Sequence, residues 1–523
     1  MTTQLRQDDT QIASMAFDHL CQVVAIDSQS DERSDTIPST EGQRVLAAAV
    51  ADFFAGLGAA VDRDDFANVI ARFPGRGAGA DAAPLALMVH LDTARGTAAV
   101  DALSVLEAWD GGPIPYPKNP RLRVGVDTYP AVAEFVGQDV VFGPGDAPFG
   151  LDDKLGLTHL MSLARLLKDN PQIPHPPLYL IGRPDEEVGR MEAVVGLAAY
   201  LADAGVTSGY TVDGILPFEV NVENFNAAHA AVRFPSRAVP VARQARAYGV
   251  QIGGVNTHGA TAKAEGYRAA TRFGAELLAQ LRAGGAEPVP LAFTSNELRD
   301  CDGYLELALT GDDAAARLAA ACEAVIGPHL PRGASWSVDP AETAPAEADG
   351  AVDDMLAFVA RLLASDPGFP LAAEASEGRQ GYSAPFRARS PSAGGVVLDV
   401  RLRDFDPDGL EARKAHIAEL ARGQAGAEVS IVDQYVNMGP RLADRPELRR
   451  WALDAARAVG VRVREVPIRG GTGVDPFLDK GVAVANVGTG YFAPESEKEI
   501  TSLQMMAAHA RWLVELVARA AHG

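Results

Sequence analysis

Four short stretches of the chain place a histidine or carboxylates where a divalent cation or a proton transfer would use them. MVHLDT carries His90 and Asp92 at the end of an apolar run, and strand alternation turns both side chains to one face. An imidazole that binds a metal needs an acceptor on its other nitrogen to fix tautomer and ring orientation, a role open to Asp92. GLDDKLG, residues 150 to 156, sets Asp152 and Asp153 between a Gly/Pro-rich loop and a helix start, where an acid either suits the helix dipole or bridges two cations. RPDEEVGR, residues 183 to 190, has three acids in a row. Adjacent carboxylates repel unless cations compensate, and Glu186 and Glu187 could divide the roles of general base and metal ligand. Asp213 in SGYTVDG closes a further β-prone run and is followed by glycine.

Each stretch alone has a plainer reading: a strand-end histidine beside a solvated aspartate, a helix cap, a solvated acidic turn, a turn aspartate. Their shared placement at strand ends or just before a helix favours one joint site, because sites in open α/β sheets assemble at the carboxyl ends of strands. His258 in GGVNTHGATAKAEG lies beside glycines that permit close backbone approach, and is either a hydrogen-bonded loop histidine or a site residue. Arg403 in RLRDFD and Arg469 in VPIRGGTG offer the planar fork of donors that grips a carboxylate, against the ordinary role of surface cations.

These residues need a scaffold, and the hydrophobic pattern supplies one. Residues 43 to 57 have helical spacing with Gly58 as a stop; PLALMVHLD (84–92) and PPLYLIGR (176–183) read as strands with a helix from Lys154 to Lys168 between them. VAVANVG (482–488) reads as a buried strand and Ser502 to Ala521 as a closing helix. Alternating strands and helices give an α/β layer. From about Leu216 to about Val432 the composition changes, with Pro-, Ala-, Gly- and Arg-rich segments at 332–350 and 372–395 that read as loops or insertions. A discontinuous α/β domain (1–216 and 433–523) carrying an inserted domain (217–432) follows.

With 523 residues, more than one packed unit is expected. The formal charge of 47 − 69 = −22 argues against binding nucleic acid or an anionic membrane. The three cysteines, Cys21, Cys301 and Cys322, have neither disulfide-framework nor zinc-ligand spacing, which suits a reducing cytoplasm. The first thirty residues do not read as an export signal, and the longest apolar stretches, such as Ala193 to Ala202, are too short to span a bilayer.

Taken together, AIDSQS, PSTEGQ, HLDTA, GLDDKLG, RPDEEVGR, YTVDG, VENFNAA, HGATAK, LRDFD, EARK and PIRGGT resemble the peptidase T family of tripeptide aminopeptidases, among the two-zinc exopeptidases and amidohydrolases. Residues 97–145, about 228–246 and much of 284–392 match weakly. The resemblance implies a zinc-exopeptidase-like catalytic domain interrupted by a smaller α/β lid of the dimerisation type. It implies that His90, Asp152 and Asp213 hold one metal, that Asp152 bridges to a second held also by Glu187, and that Asp92 orients His90. Glu186 would take a proton from the attacking water, His258 would help stabilise the oxyanion, and Arg403 and Arg469 would lie near the substrate carboxylate. The cofactor implied is zinc, one or two ions per chain, with manganese as the alternative. Homodimerisation is an expectation from the resemblance alone.

One departure stands out. Family members complete the metal set with a histidine followed by glutamate near the C-terminus, whereas this chain reads GYFAPESEKEITSL. The alignment puts Lys498 at that position, a one-residue shift offers Glu497, and Glu495 is close by. A protonated lysine cannot ligate a cation, while a carboxylate would favour a harder ion such as manganese. Gly473 also stands where the family pattern RGGTDG has an acid. The expected activity is metal-dependent amide hydrolysis, aminopeptidase-like on short peptides. The alternatives are a non-peptide amidohydrolase or deaminase of the same fold, and a non-catalytic peptide-binding paralogue with an impaired second metal site.

Overall fold

The computed structural model describes residues 3–256, 268–296, 299–365, 379, 381–391, 394–424 and 426–522. They form two compact units, one of residues 1–120, 124–224 and 437–523, the other of 121–123 and 225–436.

The first unit is built on an eight-stranded sheet in the order Ala60–Arg63, Val69–Phe73, Leu178–Arg183, Leu85–His90, Ser208–Gly214, Ala483–Gly488, Glu219–Asn221, Arg464–Glu465. Its centre is parallel, with Leu85–His90 flanked by Leu178–Arg183 and Ser208–Gly214, and Ser208–Gly214 in turn paired with Ala483–Gly488. All six residues of Leu85–His90 are buried. Continuous apolar runs of this kind are what a parallel strand covered on both faces requires. Helices Asp9–Val24, Leu151–Asp169, Pro446–Val459 and Leu503–Ala520 pack together, and Leu151–Asp169 also lies on the strands ending at His90 and Gly214. That approach is close: a Cβ on Gly156 would come within 2.0 Å of the Val212 carbonyl, so only glycine fits there. Because the central strands run the same way, His90, Arg183 and Asp213 emerge at one end of the sheet.

The second unit has a four-stranded antiparallel sheet, Tyr382–Arg389, Val396–Asp404, Asn226–Phe234 and Glu428–Tyr435, and a larger sheet on Arg246–Gly253 and its neighbours. Helices Ala270–Ala283, Ala314–Val325, Ala351–Ser365 and Pro407–Arg422 share its core. The fold is therefore a discontinuous α/β domain with an inserted α/β domain. Two segments depart from expectation. Residues 332–350, read as loop, contain the strands Ser335–Val338, Glu342–Thr343 and Glu347–Asp349, and 372–395 contains Tyr382–Arg389. The proline that hid the latter, Pro385, falls at a register shift on an edge strand, where a missing N–H costs no ladder bond.

The first unit also buries an imidazole outside the sheet end. His19 on Asp9–Val24 packs edge-on against Phe53, with Nδ1 3.1 Å from Ser162 Oγ. Burial pulls it down from 6.5 to about 4. Its folded form stays neutral while the unfolded chain takes up a proton below about 6.5. The stability it contributes is intact above that pH and is lost as the pH falls toward about 4, by up to about 3 kcal/mol. Thermal unfolding of His19→Gln across this range is expected to show a smaller acid-induced fall in Tm than the parent chain. Parallel curves would show that His19 does not drive the effect.

Candidate metal centre

The site forms where three strand ends meet the start of helix Leu151–Asp169. His90 points its Nε2 at Asp152 Oδ1 (3.0 Å) and Asp213 Oδ1 (3.4 Å). On the other ring nitrogen, the nearest acceptor is the Asp92 carbonyl at 2.8 Å, with the Asp92 carboxylate at 3.5 Å. That carboxylate also accepts from the backbone N–H of Glu186 (2.9 Å) and of Glu187 (3.1 Å), pinning the turn that carries both acids. Asp153 accepts from the His90 and Gly156 N–H groups, so it ties the helix start to the His90 strand. Ligand-capable atoms lie close together in two overlapping sets, His90 with Asp153 and Asp213, and His90 with Asp152 and Glu187.

The electrostatics call for a cation. Burial pushes Asp153 and Glu187 well above the usual carboxylate range, and neighbouring acids push further: Asp213 on Asp153, Glu495 and Asp152 on Glu187. Burial disfavours a charged His90, but the fields and hydrogen bonds of Asp213, Asp152 and Asp92 outweigh it and raise its pKa well above normal. Burial raises Glu186 to about 7, with His90 pulling the other way. Glu187 Oε1 is buried and has no hydrogen-bond partner among the described residues. An imidazole, several clustered carboxylates and an unpaired carboxylate oxygen are the donors a divalent ion takes, so the residues fit the group.

Three further residues hold this arrangement and escaped the sequence reading. Glu499 accepts from the N–H groups of Phe149, Gly150 and Leu151 (2.8, 2.8 and 3.4 Å), acting as the cap that Gly150 cannot supply. Burial pushes its carboxyl up to about 8 despite those three donors. Asp185 accepts from the Ser39 N–H and hydroxyl and from Gln43 Nε2, anchoring the acidic turn on the PSTEGQ segment. Buried Lys154 donates to the Ile26 carbonyl at 2.6 Å. The motifs containing Asp185 and Lys154 were visible; what these residues touch, more than a hundred positions away, was not.

Of the residues left open for the last ligand, Lys498 and Glu497 are buried and Glu495 is half-buried; the Glu495 charge acts on Glu187. The weakly matched stretch 97–145 holds this segment: Tyr116 donates its hydroxyl to the Lys498 carbonyl, the Tyr129 hydroxyl accepts from the Ala493 N–H, and strand Val140–Phe142 pairs with Ile500–Ser502. Arg469 is half-buried in the loop leading to Thr472. Arg403 belongs to the inserted unit, where it is 8% exposed, donates to the Ala228 and Leu402 carbonyls and lies over the Tyr435 ring. His258 lies outside the described residues.

No family model matches the chain. A protein named peptidase T from Aeromonas hydrophila is 26% identical over 501 residues, 94% of this chain and 95% of its own length. Another from Bacillus cereus is 24% identical over 504 residues, 95% and 96%. Among solved structures, a tripeptidase from Staphylococcus aureus superposes with a TM-score of 0.56 at 14% identity, covering 98% of this chain and 99% of that one. The curated relatives place the chain in a class, hydrolases, and its own fold is a discontinuous α/β domain with an inserted α/β domain. Within it, this chain is peptidase T-like along nearly its whole length.

Proposed function

We propose that the chain is a divalent-cation-dependent hydrolase of amide bonds, aminopeptidase-like on short peptides. The observation that carries this reading is the convergence of His90 Nε2 on Asp152 and Asp213 beside Glu186, whose carboxyl burial raises to about 7. His90, Asp152 and Asp213 would hold one cation; Asp152 and Glu187, with Glu495 in place of an imidazole, would hold a second. Zinc is the ion proposed for the first position. An all-carboxylate second position favours a harder ion such as manganese. A cation bound there would polarise the scissile carbonyl and lower the pKa of the attacking water. Glu186 accepts the proton from that water and returns it to the leaving amine. Asp92 keeps His90 oriented and holds the Glu186 turn through its N–H groups.

The two-part unit is proposed as the catalytic domain and the inserted unit as a lid, with His258 an oxyanion donor and Arg403 and Arg469 carboxylate grips. These roles, and a homodimer, rest on the resemblance. A cytoplasmic location is supported by three cysteines that form no disulfide; no described helix is long and apolar enough to cross a membrane.

The test is reconstitution. Chelator-stripped protein, reloaded with zinc or manganese, is expected to release the N-terminal residue from trialanine and not from its N-acetylated form. Preference for the acetylated peptide would point to an N-acyl amidohydrolase, and no hydrolysis with either ion would leave a binding protein.

A further inference from the structure

Arg183 ends the strand beside His90, paired with it in parallel register, and belongs to none of the roles assigned so far. Its side chain is 1% exposed, among the largest fully buried groups in the protein. Burying a guanidinium is costly unless its charge and donors are used. Nη2 donates to the Thr472 carbonyl at 2.5 Å and lies 3.8 Å from Glu186 Oε1, while Nε has no acceptor among the described residues. This is the one ion pair that the Glu186 carboxylate makes among the described residues. Its backbone is fixed as well, since the Arg183 carbonyl accepts from the Leu91 N–H at 2.8 Å.

The other wall of the guanidinium is Gly473. This glycine has a φ of +58°, and a Cβ there would lie 2.5 Å from Nη1 and 3.4 Å from Cζ. A side chain at 473 would strain the backbone and push the guanidinium aside. One planar, rigid cation thus spans from the turn that carries the proposed base to the loop that begins at Arg469.

We propose that Arg183 is a positioning residue, a strut that sets the Glu186 carboxylate against the 469–474 loop, with Gly473 as the space it requires. The proposal rests on the hydrolase reading and deepens it. Arg183 acts through Glu186, since a guanidinium has no lone pair to offer a metal ion. Its loss should therefore appear in the chemical step, with peptide binding and metal content little changed.

The experiment compares the cation-loaded wild-type protein with Arg183→Ala, Arg183→Lys, Gly473→Ala and the Arg183→Ala/Gly473→Ala double variant. The measurements are kcat and KM on trialanine, bound metal, and Tm. Arg183→Ala is expected to lose about 10- to 100-fold in kcat, the scale of a mispositioned catalytic group, with KM and metal content close to wild type. Arg183→Lys should recover part of that loss. Gly473→Ala should lower kcat when Arg183 is present and change it less than about twofold once Arg183 is removed, because both substitutions break the same contact. Arg183→Ala with an unaltered kcat, a loss confined to KM, or equal effects of Gly473→Ala in both backgrounds would each overturn the strut. If the wild-type chain cleaves no peptide, it is the hydrolase reading that fails. The same cycle read as Tm then decides, since a Gly473→Ala loss that is equal in both backgrounds overturns the proposal.

Discussion

Replacing Asp152 by Asn is expected to abolish cation binding and turnover together. Asp152 lies 3.0 Å from His90 Nε2, shares a ligand-sized space with Glu187, and helps push the Glu187 carboxyl upward. As a proposed ligand it would anchor the cation, and its loss would remove on the order of several kcal/mol of binding and transition-state stabilisation. Without a cation it pairs with the His90 imidazole, whose pKa it helps to raise. Melting curves with and without zinc test the ligand role. The wild-type protein should gain about 2.7 kcal/mol from zinc at a hundred times its dissociation constant. Asp152→Asn should show no shift on adding zinc. A zinc-dependent shift equal to that of the parent would remove Asp152 from the ligand set.

Glu186→Gln separates the proton carrier from the ligands. The amide cannot accept the water proton, and a general base is worth about 10²- to 10⁴-fold in rate. The turn should stay in place, because it is held by the Glu186 and Glu187 N–H groups on Asp92 and by Asp185 on Ser39 and Gln43. Bound metal should therefore match the wild-type value while kcat on trialanine falls by that factor. A variant that keeps more than about a tenth of the activity would assign the proton transfer to another group.

The parts of this architecture legible in the sequence were those encoded locally. Unbroken apolar runs marked the strands ending at His90, Arg183 and Gly488, and helical spacing marked Glu41–Gly56 and Leu503–Ala520. HLD, LDD, DEE and VDG could be grouped because parallel strands deliver their ends to one edge of a sheet. Partnerships across the chain were not legible. Glu499 drew no role of its own from the sequence, yet it organises the start of a helix 348 positions away. Arg183 looked like the residue that leads into an acidic turn, and nothing near it in sequence shows that it is buried against Gly473. Tyr382–Arg389 was obscured by Pro385, since composition cannot tell a bulged edge strand from a loop.

The reach of Glu499 has a consequence for how the protein comes into being. During synthesis, the segment bearing Asp152 and Asp153 leaves the ribosome long before the carboxylate that caps it, so this helix start waits on the C-terminal end of the chain. Only when the final strands dock can the three N–H groups before and at that helix find their acceptor.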